Sequence, residues 1–253
     1  MCVILIGNKL RPKKEVIKKC WDKNNDGAGV MWNDGESTHY IKGLMKLESL
    51  NILLENNPRI TKGQFAIHFR MASSGGKCEE LTHPFVINKE YSNGAVYEGN
   101  EPLLMHNGHD SKAEDQMVAM MINNQIVIPK DKFSDSRAIA TICAYSGFEV
   151  CKYMSGKFVI LTKDAMYTWG TFEKDEEFEY SNLYWKNSCT GIYYSSGSRW
   201  GNKRWNNITQ NWEEEVTVTE KKSIQGSLDI DWKKKEEEEL KKLEAEMSAQ
   251  GCD

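Results

Sequence analysis

The 253-residue chain contains no apolar run that approaches the ~20 residues needed to cross a bilayer. Val3 to Ile6 is too short for the apolar region of a signal peptide, and Asn8, Lys9 and Arg11 follow it at once. An excess of positive charge is also missing. The 33 Lys and Arg stand against 37 Asp and Glu, for a net charge of −4, so no electrostatic case exists for binding nucleic acid or an acidic membrane surface. The seven cysteines (2, 20, 78, 143, 151, 189 and 252) are odd in number and never spaced C-x-x-C. That argues against a disulfide framework and a zinc ribbon, and it suits a reducing cytoplasm. No G-x-x-x-x-G-K-[ST] loop is present, so ATP-dependent chemistry is not visible. His106 and His109 lack an accompanying acidic or cysteine cluster, and neither a metal nor another cofactor is expected.

What is there suffices for one large domain or two small ones, with 40% of residues apolar. A strand is expected at Val3–Ile6 and a helix over Lys13–Asp22, with Val16, Ile17 and Cys20 on one face. The turn-rich Asn24–Gly29 feeds Val30-Met31-Trp32, and residues 36–55 read as one amphipathic helix ended by Asn56-Asn57-Pro58. Gln64–Arg70 alternates like a strand that sends His68 and Arg70 to one face. Pro102–Met105 is a second apolar strand. Ser111 and Glu114 suggest a capping box for a helix to about Asn123, with Met117, Met120 and Met121 inward. Ser134-Asp135 marks a further helix start, and Lys157–Thr162 and Ala165–Thr171 form two strands around Lys163-Asp164. Strands and helices are grouped rather than alternating, which points to an α+β fold of stacked layers. From about Gly191 the composition shifts to Ser, Gly, Asn and Trp, read as a tail pinned by Trp200, Trp205 and Trp212. Lys233–Met247 reads as a highly charged terminal helix.

Chemistry collects in four short stretches. Cys2 stands at the start, and removal of Met1 would leave a thiol and a free α-amine on one residue, a nucleophile beside its own base. The stretch His68 to Gly75 contains Arg70 and Ser73, and Arg can bind a carboxylate bidentately. Asn107-Gly108, after a strand, can aim a side-chain NH₂ and a main-chain N–H at a developing oxyanion. Asp135 opens a helix and can bind an ammonium. Arginine and aspartate together suit the α-carbon end of a free amino acid. Each also has a plainer structural reading: Cys2 as a buried strand residue, Arg70 as an edge-strand arginine, Asn107-Gly108 as a turn, and Asp135 as an N-cap.

Taken in order, these motifs resemble the class II glutamine amidotransferase domain, an N-terminal-nucleophile hydrolase, over roughly residues 2–190. The resemblance implies a four-layer αββα sandwich in residues 1–190, with residues 191–253 as linker and charged helix. It implies Cys2 as nucleophile, Asn107 and Gly108 as oxyanion hole, and Arg70 and Asp135 as anchors for the α-carboxylate and α-ammonium of glutamine. Asp26-Gly27-Ala28-Gly29 matches the family's Asp-Ser-Ala-Gly turn. His83-Pro84 matches its His-Pro pair near the substrate loop, so His83 and Ser73 join the expected substrate-binding residues. Tyr180-Ser181-Asn182 is similar to another family feature, with no role assigned. Lys23-Asn24 replaces the usual Arg-Gly, Met71 an aromatic residue, and Arg137 a Glu.

By this resemblance the chain hydrolyses the side-chain amide of L-glutamine. The ammonia would go to an accepting protein in trans, because only about sixty residues follow the domain. The expected location is the cytoplasm, that of a host if the chain comes from a bacteriophage, whose compact stand-alone proteins it resembles. Two alternatives remain at the level of sequence. One is a stand-alone amidase acting on another amide; the other is a catalytically silent binding module.

Overall fold

In a computed structural model, the chain divides into two units, Met1–Cys189 and Thr190–Asp253. The structure describes residues 2–72, 76–89, 94–123 and 134–186, and the backbone of 203–206 and 211–214. Ser73, Trp200 and the expected helix at 233–247 lie outside the described residues.

The first unit opens with β1 (Val3–Asn8), α1 (Lys14–Lys23), β2 (Ala28–Asn33), β3 (Thr38–Leu44), α2 (Leu47–Asn56) and β4 (Gln64–Phe69). It continues through β5 (Phe85–Val86), β6 (Val96–Gly99), β7 (Leu103–Asn107), α3 (Ala113–Ile122) and α4 (Asp135–Ser146). β8 (Lys157–Leu161), β9 (Met166–Trp169), β10 (Glu173–Lys174) and β11 (Glu179–Tyr180) complete it. Two antiparallel sheets result, one ordered β10-β11-β1-β4-β2-β3-β6 and the other β5-β7-β8-β9.

Period-two alternation sorts the strand residues between faces. Val3 and Leu5 of β1, Val30 and Trp32 of β2 and Phe65 and Ile67 of β4 pack with Ile17, Cys20 and Trp21 of α1 and Leu50 and Leu54 of α2. Between them, Ile4, Met31, Tyr40 and Ala66 point the other way and meet Leu103, Met105, Val159 and Leu161 of the second sheet. The intervening residues Leu104, Phe158 and Ile160 pack with Met117, Ala138, Ile139 and Cys143 of α3 and α4. Both sheets are therefore buried on two faces, which removes the polar half of the strand pattern.

That double burial explains a correction. Residues 36–55 are not one helix but a strand, Thr38–Leu44, followed by a helix from Leu47. Tyr40 faces the second sheet while Ile41 and Leu44 lie against the cluster beneath α1 and α2. Apolar residues on both faces of a strand imitated one helical stripe. β-branched and aromatic side chains favour the strand, and pairing with both β2 and β6 fixes it. Gly43, at φ 76, lies near its end.

A second correction concerns α3. Ser111 and Glu114 do not form its cap: the preceding residue is Lys112, and no side-chain cap bond is made there. Asp110 takes the work instead, accepting the Lys112 N–H on its carboxylate at 2.9 Å and the Ala113 N–H on its carbonyl at 3.3 Å. The start of α4 follows expectation: Ser134 Oγ accepts the Arg137 N–H at 3.3 Å. In the second unit, β12 (Lys203–Asn206) and β13 (Asn211–Glu214) form an antiparallel hairpin with Trp205 opposite Trp212. The sequence reading held no strand there. Among the described residues, no helix is long and apolar enough to cross a membrane.

Gly29 of β2 lets the loop at His83 come down onto the sheet: a Cβ there would lie 1.8 Å from His83 O. Gly29→Ala should therefore lower stability by roughly 2 kcal/mol or more, read as a reduced midpoint in urea or heat. An unchanged midpoint would contradict this close approach.

Candidate active site

β1 and β4 are antiparallel, with Val3 opposite Phe69. The residue before β1 and the residue after β4 thus belong at the same end of the sheet. Cys2 and Arg70 are those residues. β7 ends on Asn107, whose Nδ2 donates to Cys2 O at 2.8 Å. Asp135 is the first residue of α4. The Cys2 thiol lies within electrostatic reach of both charges, with Arg70 favouring the thiolate and Asp135 opposing it. Four separate chain segments thus converge on one residue, Cys2.

Cys2 is half-buried, and Sγ accepts the Met71 N–H at 3.3 Å. Burial pushes the thiol up from its ordinary value, against that hydrogen bond and the charge of Arg70. Cys2 O also accepts Asn182 Nδ2 at 2.7 Å. Ser181 supports the same corner: its Oγ accepts the Ile4 N–H at 2.8 Å and Asn107 Nδ2 at 2.7 Å. Ser181 and Asn182 were visible in the sequence as a motif, yet nothing in their spacing announced a contact with a residue some 180 positions earlier.

Arg70 is buried and donates from Nη1 to Gly76 O at 2.8 Å. The turn at Asp26–Gly29 holds its main chain, since Arg70 N–H donates to Gly27 O and Arg70 O accepts the Asp26 N–H. Burial opposes ionisation of Asp26, but bonds from Lys77 and the Ala72 N–H hold its carboxyl below the usual range.

Asp135 does not cap α4, because Ser134 does. Its carboxylate accepts the Asp110 N–H at 3.0 Å and the Ser136 N–H at 2.8 Å, and His109 Nδ1 lies 3.3 Å away. An acidic side chain in the first turn also complements the helix dipole. Gly108 follows β7 in tight quarters, where a Cβ would lie 2.6 Å from Gly156 Cα and 2.8 Å from His106 Nε2. Only glycine fits without displacing main chain.

Behind these groups sits a cluster of buried histidines. His68 donates from Nε2 to His106 O at 3.2 Å, and its ring lies 4.0 Å from that of His83. His106 is held at Nδ1 by Ser136 Oγ and at Nε2 by Ser155 O, both at 3.0 Å. His83 makes no direct hydrogen bond from either ring nitrogen, and its ring is buried between His68 and Phe85. Burial lowers all three, His68 to about 3 and His83 well below its ordinary value. Lys42 of β3 is also buried, with Nζ 4.6 Å from the Phe85 ring centre; burial and the charge of Arg137 lower it to about 7. Among the described residues, no three His, Cys, Asp or Glu side chains group as a metal site.

The neutral histidines make stability depend on pH. Their folded pKa values lie below the unfolded value of ~6.5, so unfolding takes up protons below that pH. Their contribution is complete above pH ~6.5 and is lost as pH falls towards the folded values, at about 1.4 kcal/mol per pH unit for each histidine. Urea unfolding should show stability falling as pH is lowered from ~6.5 to ~4.5, with the proton uptake on unfolding near the lower pH reduced by about one in His83→Asn. A flat profile would contradict the neutral cluster.

No protein-family model matches the chain. Over 123 residues, 44% of its length, it is 27% identical to an amidophosphoribosyltransferase of Methanocaldococcus jannaschii. The chain spans 25% of that relative's length. Among solved structures it resembles a glutamine phosphoribosylpyrophosphate amidotransferase from B. subtilis, with a TM-score of 0.48 and 18% identity over 72% of this chain and 42% of that one. A structure described as the allosteric regulatory enzyme of purine biosynthesis gives a TM-score of 0.44 and 22% identity, over 66% and 36% of the two chains. The chain is a distant homologue of amidophosphoribosyltransferase and is related at that distance to the glutamine amidotransferase family. These relatives lend no support to a phage origin.

Proposed function

We propose that the chain hydrolyses the side-chain amide of L-glutamine through a thioester on Cys2. The reading assigns a class II glutamine amidotransferase domain to residues 1–190 and leaves 191–253 as an appended segment. The observation that carries it is a half-buried Cys2 whose thiol lies within electrostatic reach of a buried Arg70 and a buried Asp135, and whose carbonyl accepts the amide of Asn107. A guanidinium and a carboxylate near one nucleophile match the two charged ends of a free amino acid.

In this mechanism, removal of Met1 frees the Cys2 α-amine, which takes the thiol proton as sulfur attacks the amide carbon. Asn107 Nδ2 and the Gly108 N–H hold the oxyanion. The leaving nitrogen takes that proton from the α-ammonium of Cys2 and departs as ammonia. Water then attacks the γ-glutamyl thioester, giving glutamate and restoring the thiol. Arg70 binds the α-carboxylate and Asp135 the α-ammonium. Ser73 contributes to the substrate loop, and His83 serves it from behind, through the loop it seats on Gly29. The ammonia passes to an accepting protein in trans. The architecture we assign is the αββα sandwich, a reading supported by three apolar clusters, two against helices and one between the sheets.

Purified protein should release ammonia from glutamine, and Cys2→Ala should abolish that release. Asn107→Ala should slow turnover 100-fold or more, equivalent to the ~2.7–4 kcal/mol that one oxyanion donor supplies. Diazo-oxo-norleucine should add to Cys2 in protein whose intact mass lacks Met1. Undiminished activity in Cys2→Ala would overturn the reading.

A further inference from the structure

The carbonyl of Cys2 is held twice, by Asn107 Nδ2 at 2.8 Å and by Asn182 Nδ2 at 2.7 Å. A carboxamide has two N–H groups. Asn107 gives its second to Ser181 Oγ at 2.7 Å, so both are engaged. A substrate oxyanion at this site needs one of them.

The two bonds of Asn107 differ in what would follow their loss. Ser181 is fully buried and locked to β1, donating its N–H to Ile4 O at 2.9 Å and accepting the Ile4 N–H on Oγ at 2.8 Å. Its carbonyl also takes Lys157 Nζ. Breaking the Asn107–Ser181 bond would unseat the carboxamide from a rigid support. Breaking the bond to Cys2 O would leave that carbonyl still satisfied, because Asn182 remains. Asn182 is buried, and its orientation is set without Asn107: its Oδ1 accepts the Tyr184 N–H at 3.3 Å.

We infer that Asn182 is a positioning residue, which keeps the Cys2 carbonyl fixed while Asn107, pivoting on Ser181 Oγ, turns one N–H from that carbonyl to the oxyanion. The inference rests on the glutaminase reading above and adds to it a reason for the duplicated donor. A single donor shared between nucleophile and oxyanion would loosen the sulfur at the moment of attack, when a small misplacement is costly. With two, the oxyanion donor is released at no loss to the anchor.

The test is a double-mutant cycle on glutamine turnover by the full chain, with Asn182→Ala, Asn107→Ala and both together. Asn182→Ala should lower kcat roughly 10- to 100-fold, with KM within about threefold. In the Asn107→Ala background the same change should lower kcat by a clearly larger factor than in the wild-type background, since Asn182 is then the last donor on the Cys2 carbonyl. A merely structural role would depress both backgrounds alike. Asn182→Asp, which keeps the volume and the bond to Tyr184 N–H but cannot donate, should repeat the pattern if the alanine variant does not fold. Equal losses in both backgrounds, or a raised KM at unchanged kcat, would overturn the inference and leave the glutaminase reading intact. Wild-type protein that releases no ammonia would overturn both.

Discussion

Antiparallel pairing of β1 with β4 is the constraint from which the site follows. Val3 opposite Phe69 leaves the residue before one strand and the residue after the other at a common sheet end. Cys2 and Arg70 occupy those positions in a register that the hydrophobic pattern of each strand protects against a one-residue shift. A one-residue slip would turn Ile4 and Ala66 away from the second sheet and bring Val3 and Leu5 into it. The core thus sets the chemistry. The second sheet adds Asn107 at the end of β7, and α4 brings in Asp135.

The electrostatics of this corner show how a folded chain tolerates several cations in little space. Arg70, Lys42 and Arg137 are all buried. Lys42 answers by a lowered proton affinity, and His68, His83 and His106 answer by staying neutral. The imidazoles therefore act as uncharged packing with polar edges. Negative charge is placed where main-chain N–H groups can hold it, as in Asp135 on Asp110 and Ser136, and Asp26 on Ala72.

Much of the frame was legible in the sequence, for identifiable reasons. β1, β4, β7 and α4 each carry an apolar pattern that runs directly into a chemical motif, so the pattern located the motif. β3 was not legible, because a strand covered on both faces shows no alternation and Tyr40, Ile41 and Leu44 matched a helical stripe. The start of α3 was misread because Asp110, outside the capping-box pattern, supplies the acceptors. β11 is two residues long, too short for any period, so the arrival of Ser181 and Asn182 beside Cys2 left no trace in spacing. Long-range closure of this kind is a property of the sheet order rather than of any local stretch.

That closure has a temporal side. Ile4 is bound by Ser181 across 177 positions, and Cys2 by Asn182 across 180. During synthesis residues 2–4 wait for nearly the last of their unit before these partners exist. Contacts of such separation also place this step among the slower ones in folding. Met71 and Asn107 can meet Cys2 earlier, but the corner around it is complete only once residues 181 and 182 have been made.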